Sequence, residues 1–319
     1  MDAFIIMVRN VLLFALLAVP GYVLVKCKLM KQEHSAGLSK ILMYVGMPFL
    51  VISGTVNNLV INLELLIHML IVALIGIGYT LAVFFASKPL SAIEKEEKAH
   101  RMMRFCMVFS NNGFLGLPLA IAVFGKQSYI FTLLIVLNII NNVMMYSLGA
   151  YLVSSDRERV GIKQAFFNPV LISFVIGIIL NLINIKSYVP EIVTYSDHFS
   201  GIVTPISMTI LGMKMATVKL SALFTSPKTY YACAIKLIAA PVIIVALLFA
   251  VKPISFGMIS ADVITAFFVA FSMPTAGLAS TFADTYGGDT DGAVAFTLGS
   301  TILSILTIPA LFGLLSLFI

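Results

Sequence analysis

Phe109-Ser-Asn-Asn-Gly-Phe-Leu-Gly-Leu-Pro-Leu119 decides how this chain is read. It lies inside an apolar run, 102–124, long enough to cross a bilayer. Its middle nevertheless holds two amides, two glycines and a proline. Gly113 and Gly116 weaken a helix, and Pro118 removes a backbone donor and clashes with the preceding turn. Backbone freed at membrane depth is tolerated only where protein buries it or where it lines a wet cavity. Asn111 and Asn112 sit where that freed backbone should be. The stretch taken alone is either a broken helix forming a solute site or a kinked helix whose amides bond a neighbour.

A second break follows 162 residues later, in Phe271-Ser-Met-Pro-Thr-Ala-Gly-Leu-Ala-Ser280. At that offset Phe105 aligns with Phe267, Phe109 with Phe271, Ser110 with Ser272, Phe124 with Tyr286 and Gly125 with Gly287. Paired interrupted segments in corresponding halves point to a transporter's binding site. The pair therefore favours a site over a kink.

With 60% hydrophobic and 11% charged residues, the 319-residue chain is too apolar for a soluble domain. Hydropathy predicts ten spans, at 4–26, 36–54, 64–86, 102–124, 129–153, 169–185, 198–216, 229–251, 262–283 and 292–317. The first lacks a basic leader and reads as retained, not as a cleaved signal. Basic residues orient the spans. The loops after spans 1, 3, 5 and 7 hold 15 of the 20, among them Arg157, Arg159, Lys163, Lys214 and Lys219, and read as cytoplasmic. The other face has Lys126, Lys186 and Lys252, so both termini are expected outside, in a bacterial inner membrane. The net charge of +6 follows from this bias and requires no nucleic acid. Cys27, Cys106 and Cys233 show neither metal nor disulfide spacing, and the 16 methionines read as packing.

Glu64 and His68, four residues apart, share a helix face at the opening of span 3. They read either as an interfacial ion pair or as a protonation switch. Asn138, Asn141 and Asn142 give span 5 a polar stripe that must turn inward, to glue helices or to meet solute. Asn168-Pro169 suits a helix cap and first turn. Lys236, deep in span 8, needs a partner, which an acid or an anionic solute would supply. Asp262 reads as a cap.

Spans 1–5 start outside and spans 6–10 inside, so the halves, about 1–155 and 164–319, are inverted repeats. Inversion brings the two broken helices together near the midplane. Helix amino ends carry partial positive charge and bare donors, which favours an anion there.

The chain resembles the auxin efflux carrier family in its compact prokaryotic form. The matching stretches are Pro20-Gly-Tyr22 through Pro48, Ser110–Pro118, Asn168-Pro169 through Gly177 and Pro190, Thr204-Pro205 with Leu211-Gly212, Lys236 to Pro241, and Met273-Pro-Thr275 through Gly287. The resemblance implies an all-α polytopic membrane protein with ten transmembrane helices and crossed broken helices at spans 4 and 9. It is similar in fold to bile-acid symporters and sodium/proton antiporters. A scaffold of spans 1, 2, 6 and 7 would hold a transport unit of spans 3–5 and 8–10 that shifts like an elevator. The family carries organic anions. Its crossover asparagine, seven residues before the proline, falls on Asn111. Its acid-plus-base pair falls on Glu64 and His68, with histidine replacing the family's lysine. The long cytoplasmic loop of the plant carriers is missing after span 5.

The candidate solute site is therefore Asn111, Asn112, Gly113 and Pro118 from the first break, Ser272, Pro274 and Thr275 from the second, and Asn168. Glu64, His68 and Lys236 are the candidates for proton handling or charge support. The expected function is secondary transport of a small carboxylate. A coupling proton or sodium ion and a homodimer remain open as partners. The rivals are a sodium- or proton-coupled cation exchanger, which would want acids beside the crossing, and a membrane sensor that binds without transport. Four scattered histidines offer no catalytic constellation, so no enzyme is expected. No cofactor or metal is expected either. Gly113-Phe-Leu-Gly116 lacks the Gly-Lys-Ser/Thr ending of a phosphate loop.

Overall fold

A computed structural model describes residues 2–58, 62–154, 167–216 and 226–319. Arg157, Arg159, Lys163 and Lys219, used above to orient the chain, lie outside the described residues. The described chain is helical, with one isolated antiparallel bridge, Ser110 to Thr275.

Six helices are long and apolar enough to cross a bilayer: α1 (Phe4–Lys26), α2 (His34–Val56), α3 (Leu63–Leu90), α6 (Tyr129–Ser154), α10 (Pro227–Ile254) and α13 (Thr290–Leu315). They correspond to six of the ten expected spans. The other four are shorter or interrupted. Span 4 divides into α4 (Glu97–Val108) and α5 (Asn112–Phe124). Span 6 is α7 (Pro169–Leu182), and span 7 is α9 (Val203–Met215), preceded by α8 (Glu191–Ser200). Span 9 divides into α11 (Ala261–Ser272) and α12 (Ala279–Tyr286).

Helix boundaries follow local chemistry. Asn62, Ser128, Asn168, Ser226, Ser260 and Asp289 each accept a backbone N–H of the first turn that follows, satisfying a donor the helix leaves open. Ser260, not Asp262, caps α11. Widened π-type turns occur at Leu42–Gly46, Asn112–Gly116, Met145–Gly149 and Ile235–Ala239. Three of them end two residues before a proline, Pro48, Pro118 or Pro241. The proline ring displaces the carbonyl of the turn before it, and a wider turn accommodates the displacement.

Lipid offers little drive for helix association, so close packing must supply it. Helix α1 crosses α9 where Gly21 and Gly212 let the backbones touch. A Cβ at Gly21 would strike the Thr209 carbonyl, and one at Gly212 the Ala18 carbonyl. Helices α7 and α8 pack chiefly on α2, whereas α10 and α6 flank α11, and α3 lies on α6. Leu66, Leu70, Leu74 and Ile77 form an exposed apolar stripe along α3, a surface suited to lipid.

Candidate functional site

Helix α4 ends at Val108, and Phe109 turns extended (φ −93°, ψ 130°). Pro118 then widens the first turn of α5, where the Asn111 carbonyl accepts from both Leu115 and Gly116 at 3.2 and 3.1 Å. Helix α11 ends at Ser272, followed by extended Met273 (φ −63°, ψ 144°). The two breaks meet as a two-bond ladder. Asn111 N–H donates to the Pro274 carbonyl at 2.8 Å, and Ala276 N–H to the Phe109 carbonyl at 3.0 Å.

Backbone groups freed by the first break find partners from several helices, as buried polar groups must. Thr275 Oγ1 donates to the Cys106 carbonyl at 3.0 Å. Lys236 Nζ donates to Ser110 Oγ at 2.5 Å and to the Val108 carbonyl at 3.4 Å, a cation at the negative end of α4. Asn141 grips one residue from both sides: its Oδ1 accepts from Ser110 N–H at 3.1 Å, and its Nδ2 donates to the Ser110 carbonyl at 3.0 Å. At the second break, Ser300 Oγ accepts from Thr275 N–H at 3.1 Å. Lys214 Nζ, from α9, donates to the Gly277 carbonyl at 2.8 Å.

Against this junction lies a small cleft. Its lining includes Ser110, Asn111, Gly113 and Phe114 from the first break and Ala276, Gly277 and Leu278 from the second. Asn138, Asn141, Asn142, Asn168 and Met47 complete much of the wall, and among the described residues no Asp, Glu, Lys or Arg lines it. Asn142 Nδ2 donates to the Asn138 carbonyl and to Asn138 Oδ1 at 2.8 and 3.1 Å. Two buried amide atoms, Asn138 Nδ2 and Asn112 Oδ1, have no hydrogen-bond partner among the described residues.

The structure sorts the expected site residues. Asn111, Gly113 and Asn168 line the cleft, although Asn168 Oδ1 is also engaged with Val170 N–H at 2.8 Å. Asn112, Pro118, Ser272 and Thr275 are buried behind it, and Pro274 contributes its carbonyl to the ladder. Lys236 also stands behind the wall, on Ser110 and the Val108 carbonyl, rather than on an acid among the described residues. Glu64 and His68 do not form the ion pair that their spacing allows. Glu64 is exposed, whereas His68 is buried with Nδ1 2.7 Å from the Tyr129 hydroxyl. Sequence reasoning placed Asn141 only in a polar stripe and Lys214 only among the loop charges. Intramembrane position was the available signal for Asn141. Lys214, in the last turn of its helix, offered none.

A separate ionic cluster ties the α5–α6 loop to α2 and α8. Lys126 Nζ donates to Asp197 Oδ1 at 2.5 Å, Ser53 Oγ at 2.9 Å and Ser200 Oγ at 3.0 Å. Burial opposes the Asp197 charge, yet hydrogen bonds from Lys126 and Ser53 and the Lys126 charge outweigh it, leaving this carboxyl below its ordinary pKa.

The chain matches the family described as membrane transport protein over residues 5–164 and 158–312. It is similar to a transporter of Methanocaldococcus jannaschii, uncharacterized by name, with 28% identity over 65% of this chain and 68% of that protein. An uncharacterized transporter of Methanothermobacter thermautotrophicus is 24% identical over 65% of this chain and 67% of its own.

Proposed function

The chain belongs to the membrane transport protein family, that of the auxin efflux carriers, and from that premise we propose that it is a secondary transporter of a small organic anion. The observation that carries the proposal is the amide-lined cleft at the paired breaks, with no charged side chain among the described residues of its lining and one buried donor there, Asn138 Nδ2, left over. An unsatisfied buried donor costs about 1–3 kcal/mol, which a ligand oxygen would remove. Asn111 is the residue best set to hold the solute, because its backbone is pinned in the ladder while its side chain faces the cleft. Asn168 and Asn142 orient the solute from the opposite wall. A cation exchanger would put carboxylates on this wall, and among the described residues none lines it.

A scaffold of α1, α2, α7, α8 and α9 would hold the remaining helices, and the packing of α7 and α8 on α2 and of α9 on α1 supports that grouping. Alternating access is then an elevator-like movement of the other helices, carrying both breaks. Under the orientation assigned from the basic loops, Asn168 is on the cytoplasmic side and the Lys126–Asp197 cluster on the outer side. On this reading the Lys126–Asp197 contact would act as an outer latch. The reading is supported by the gathering of amides at the breaks.

Uptake of a panel of mono- and dicarboxylates into vesicles tests the proposal, with wild type set against Asn111→Ala. Saturable uptake by the wild type, reduced at least tenfold in a folded Asn111→Ala protein, is expected. Undiminished uptake by the mutant would move the site elsewhere. No uptake of any acid, with binding retained, would favour a sensor.

A further inference from the structure

Two apolar cavities lie end to end along α1, away from the cleft, and share Ala15, Leu211, Thr301 and Ile305 in their walls. The deeper one, against α5, α9 and α13, is lined by buried side chains such as Phe14 and Met208. The shallower one, against α9 and α13, opens toward the membrane at Val19, which is 50% exposed. The hydroxyls in the walls are spent on their own helix: Thr301 Oγ1 donates to the Thr297 carbonyl at 2.6 Å and Ser304 Oγ to the Thr301 carbonyl at 2.7 Å. A buried water needs two to four polar partners, so this crevice suits hydrocarbon instead. Its length on α1 runs from Val11 to Tyr22, about 17 Å of helix rise. One leaflet of a bilayer holds roughly 15 Å of hydrocarbon. Just past the open end the chain turns basic. Lys26 Nζ lies 5.5 Å from the centroid of the Tyr22 ring. Lys26, Lys28 and Lys31 are exposed, and no salt bridge joins them to an acid among the described residues.

We infer that this crevice binds an anionic phospholipid, with one acyl chain lying along α1 from Tyr22 to Val11 and the phosphate on Lys26. The lipid site is independent of what the cleft binds. Under the orientation assigned from the basic loops it belongs to the cytoplasmic leaflet, whose anionic lipids are drawn to lysines beside a span. Tyr22 stands at the level where aromatic rings anchor in the interface, and a lysine one turn further on keeps its ammonium at headgroup depth. Glu33 is the single acid between positions 26 and 33, so the local balance favours a negative headgroup. The walls come from both groups of helices, α1 and α9 on one side, α5 and α13 on the other. A chain held here therefore lies in the seam along which the proposed movement slides.

The sequence contains no tryptophan, so a single introduced one reports only its own surroundings. Phe14→Trp puts that probe at the buried end of the crevice, and Leu74→Trp puts a control on the exposed stripe of α3. The full chain is reconstituted in phosphatidylcholine vesicles holding a small fraction of lipid brominated near the end of its acyl chain. The brominated lipid carries either a phosphatidylglycerol or a phosphatidylcholine headgroup. Quenching of Phe14→Trp should be about threefold or more stronger with the anionic headgroup, while Leu74→Trp responds equally to both. Adding Ala15→Leu, in the shared wall, should abolish quenching of Phe14→Trp, and adding Lys26→Gln should abolish the headgroup preference alone. A Phe14→Trp signal that neither lipid quenches overturns the site, as does quenching that survives Ala15→Leu. Equal quenching by both headgroups, or a preference that survives Lys26→Gln, overturns the assignment of an anionic lipid to Lys26. Should Phe14→Trp fail to fold, Met208→Trp in the same cavity is read by the same criteria.

Discussion

The two breaks lie 162 residues apart and share one hydrogen-bonded ladder, but they are built from different chemistry. At the 162-residue offset, Asn111-Asn112-Gly113 corresponds to Met273-Pro274-Thr275. Asn111 offers the cleft a polar side chain, whereas its counterpart Met273 is fully buried. Asn141, which grips Ser110, corresponds to Leu303, so the second break has no such clamp and relies on Ser300, the counterpart of Asn138. The second break reaches the cleft through Ala276, Gly277 and Leu278, which bring backbone and apolar surface. The difference teaches that two interruptions can share one junction while dividing its tasks. The first break supplies polar side chains and the second supplies a close-fitting backbone.

The sharpest way to break this contrast is to make the breaks alike. Met273→Asn would bury an amide in an apolar site and lose methionine packing, and we expect about 3–5 kcal/mol of destabilisation in denaturant unfolding. A variant as stable as wild type would show that the second break accepts the chemistry of the first. A smaller contrast lies between the two clamps. Asn141→Ala strands the N–H and the carbonyl of Ser110, at about 2–4 kcal/mol, whereas Ser300→Ala strands only the Thr275 N–H, at about 1–2 kcal/mol. Equal losses would mean that the double grip adds nothing.

The outer cluster provides the smallest effect and a control remote from both breaks. Asp197 has its folded pKa lowered, so its stabilising contribution is present above the ordinary carboxylate range and is lost as pH falls through that range toward the folded value. Its side chain is 46% exposed, so salt should weaken the contact. Acid melting curves of wild type and Asp197→Asn should differ above that window and converge below it. Curves that stay parallel would show that the contact carries no stability.

Both interruptions were legible in the sequence because glycine, proline and paired amides conflict with an unbroken apolar helix. What grips them was not, since Asn141 is 31 residues from Ser110 and Lys236 is 126 residues away. Spacing along a chain does not report which helix comes to lie beside which. Glu64 and His68 show the same limit at short range. Asn62 caps α3 and leaves Glu64 in an exposed first turn, while His68, one turn deeper, meets Tyr129 from another helix. Sharing a helix face permitted their pairing without requiring it. The buried position of Lys236 was foreseen, but hydropathy could not tell that its partners would be a hydroxyl and a helix-end carbonyl.

The widened turns at Leu42–Gly46, Asn112–Gly116 and Met145–Gly149 all contribute to the cleft wall, through Met43, through Gly113 and Phe114, and through Met145. Each such turn holds one residue more than a regular helical turn, and one residue amounts to about 100° of rotation about the helix axis. The wall is thus written partly in phase: everything beyond each turn is rotated relative to what precedes it. Deleting a single residue from one of these turns would leave the hydropathy profile of that helix almost untouched and still turn its inner face toward lipid. Length variation among relatives at these turns would therefore carry more meaning than substitution.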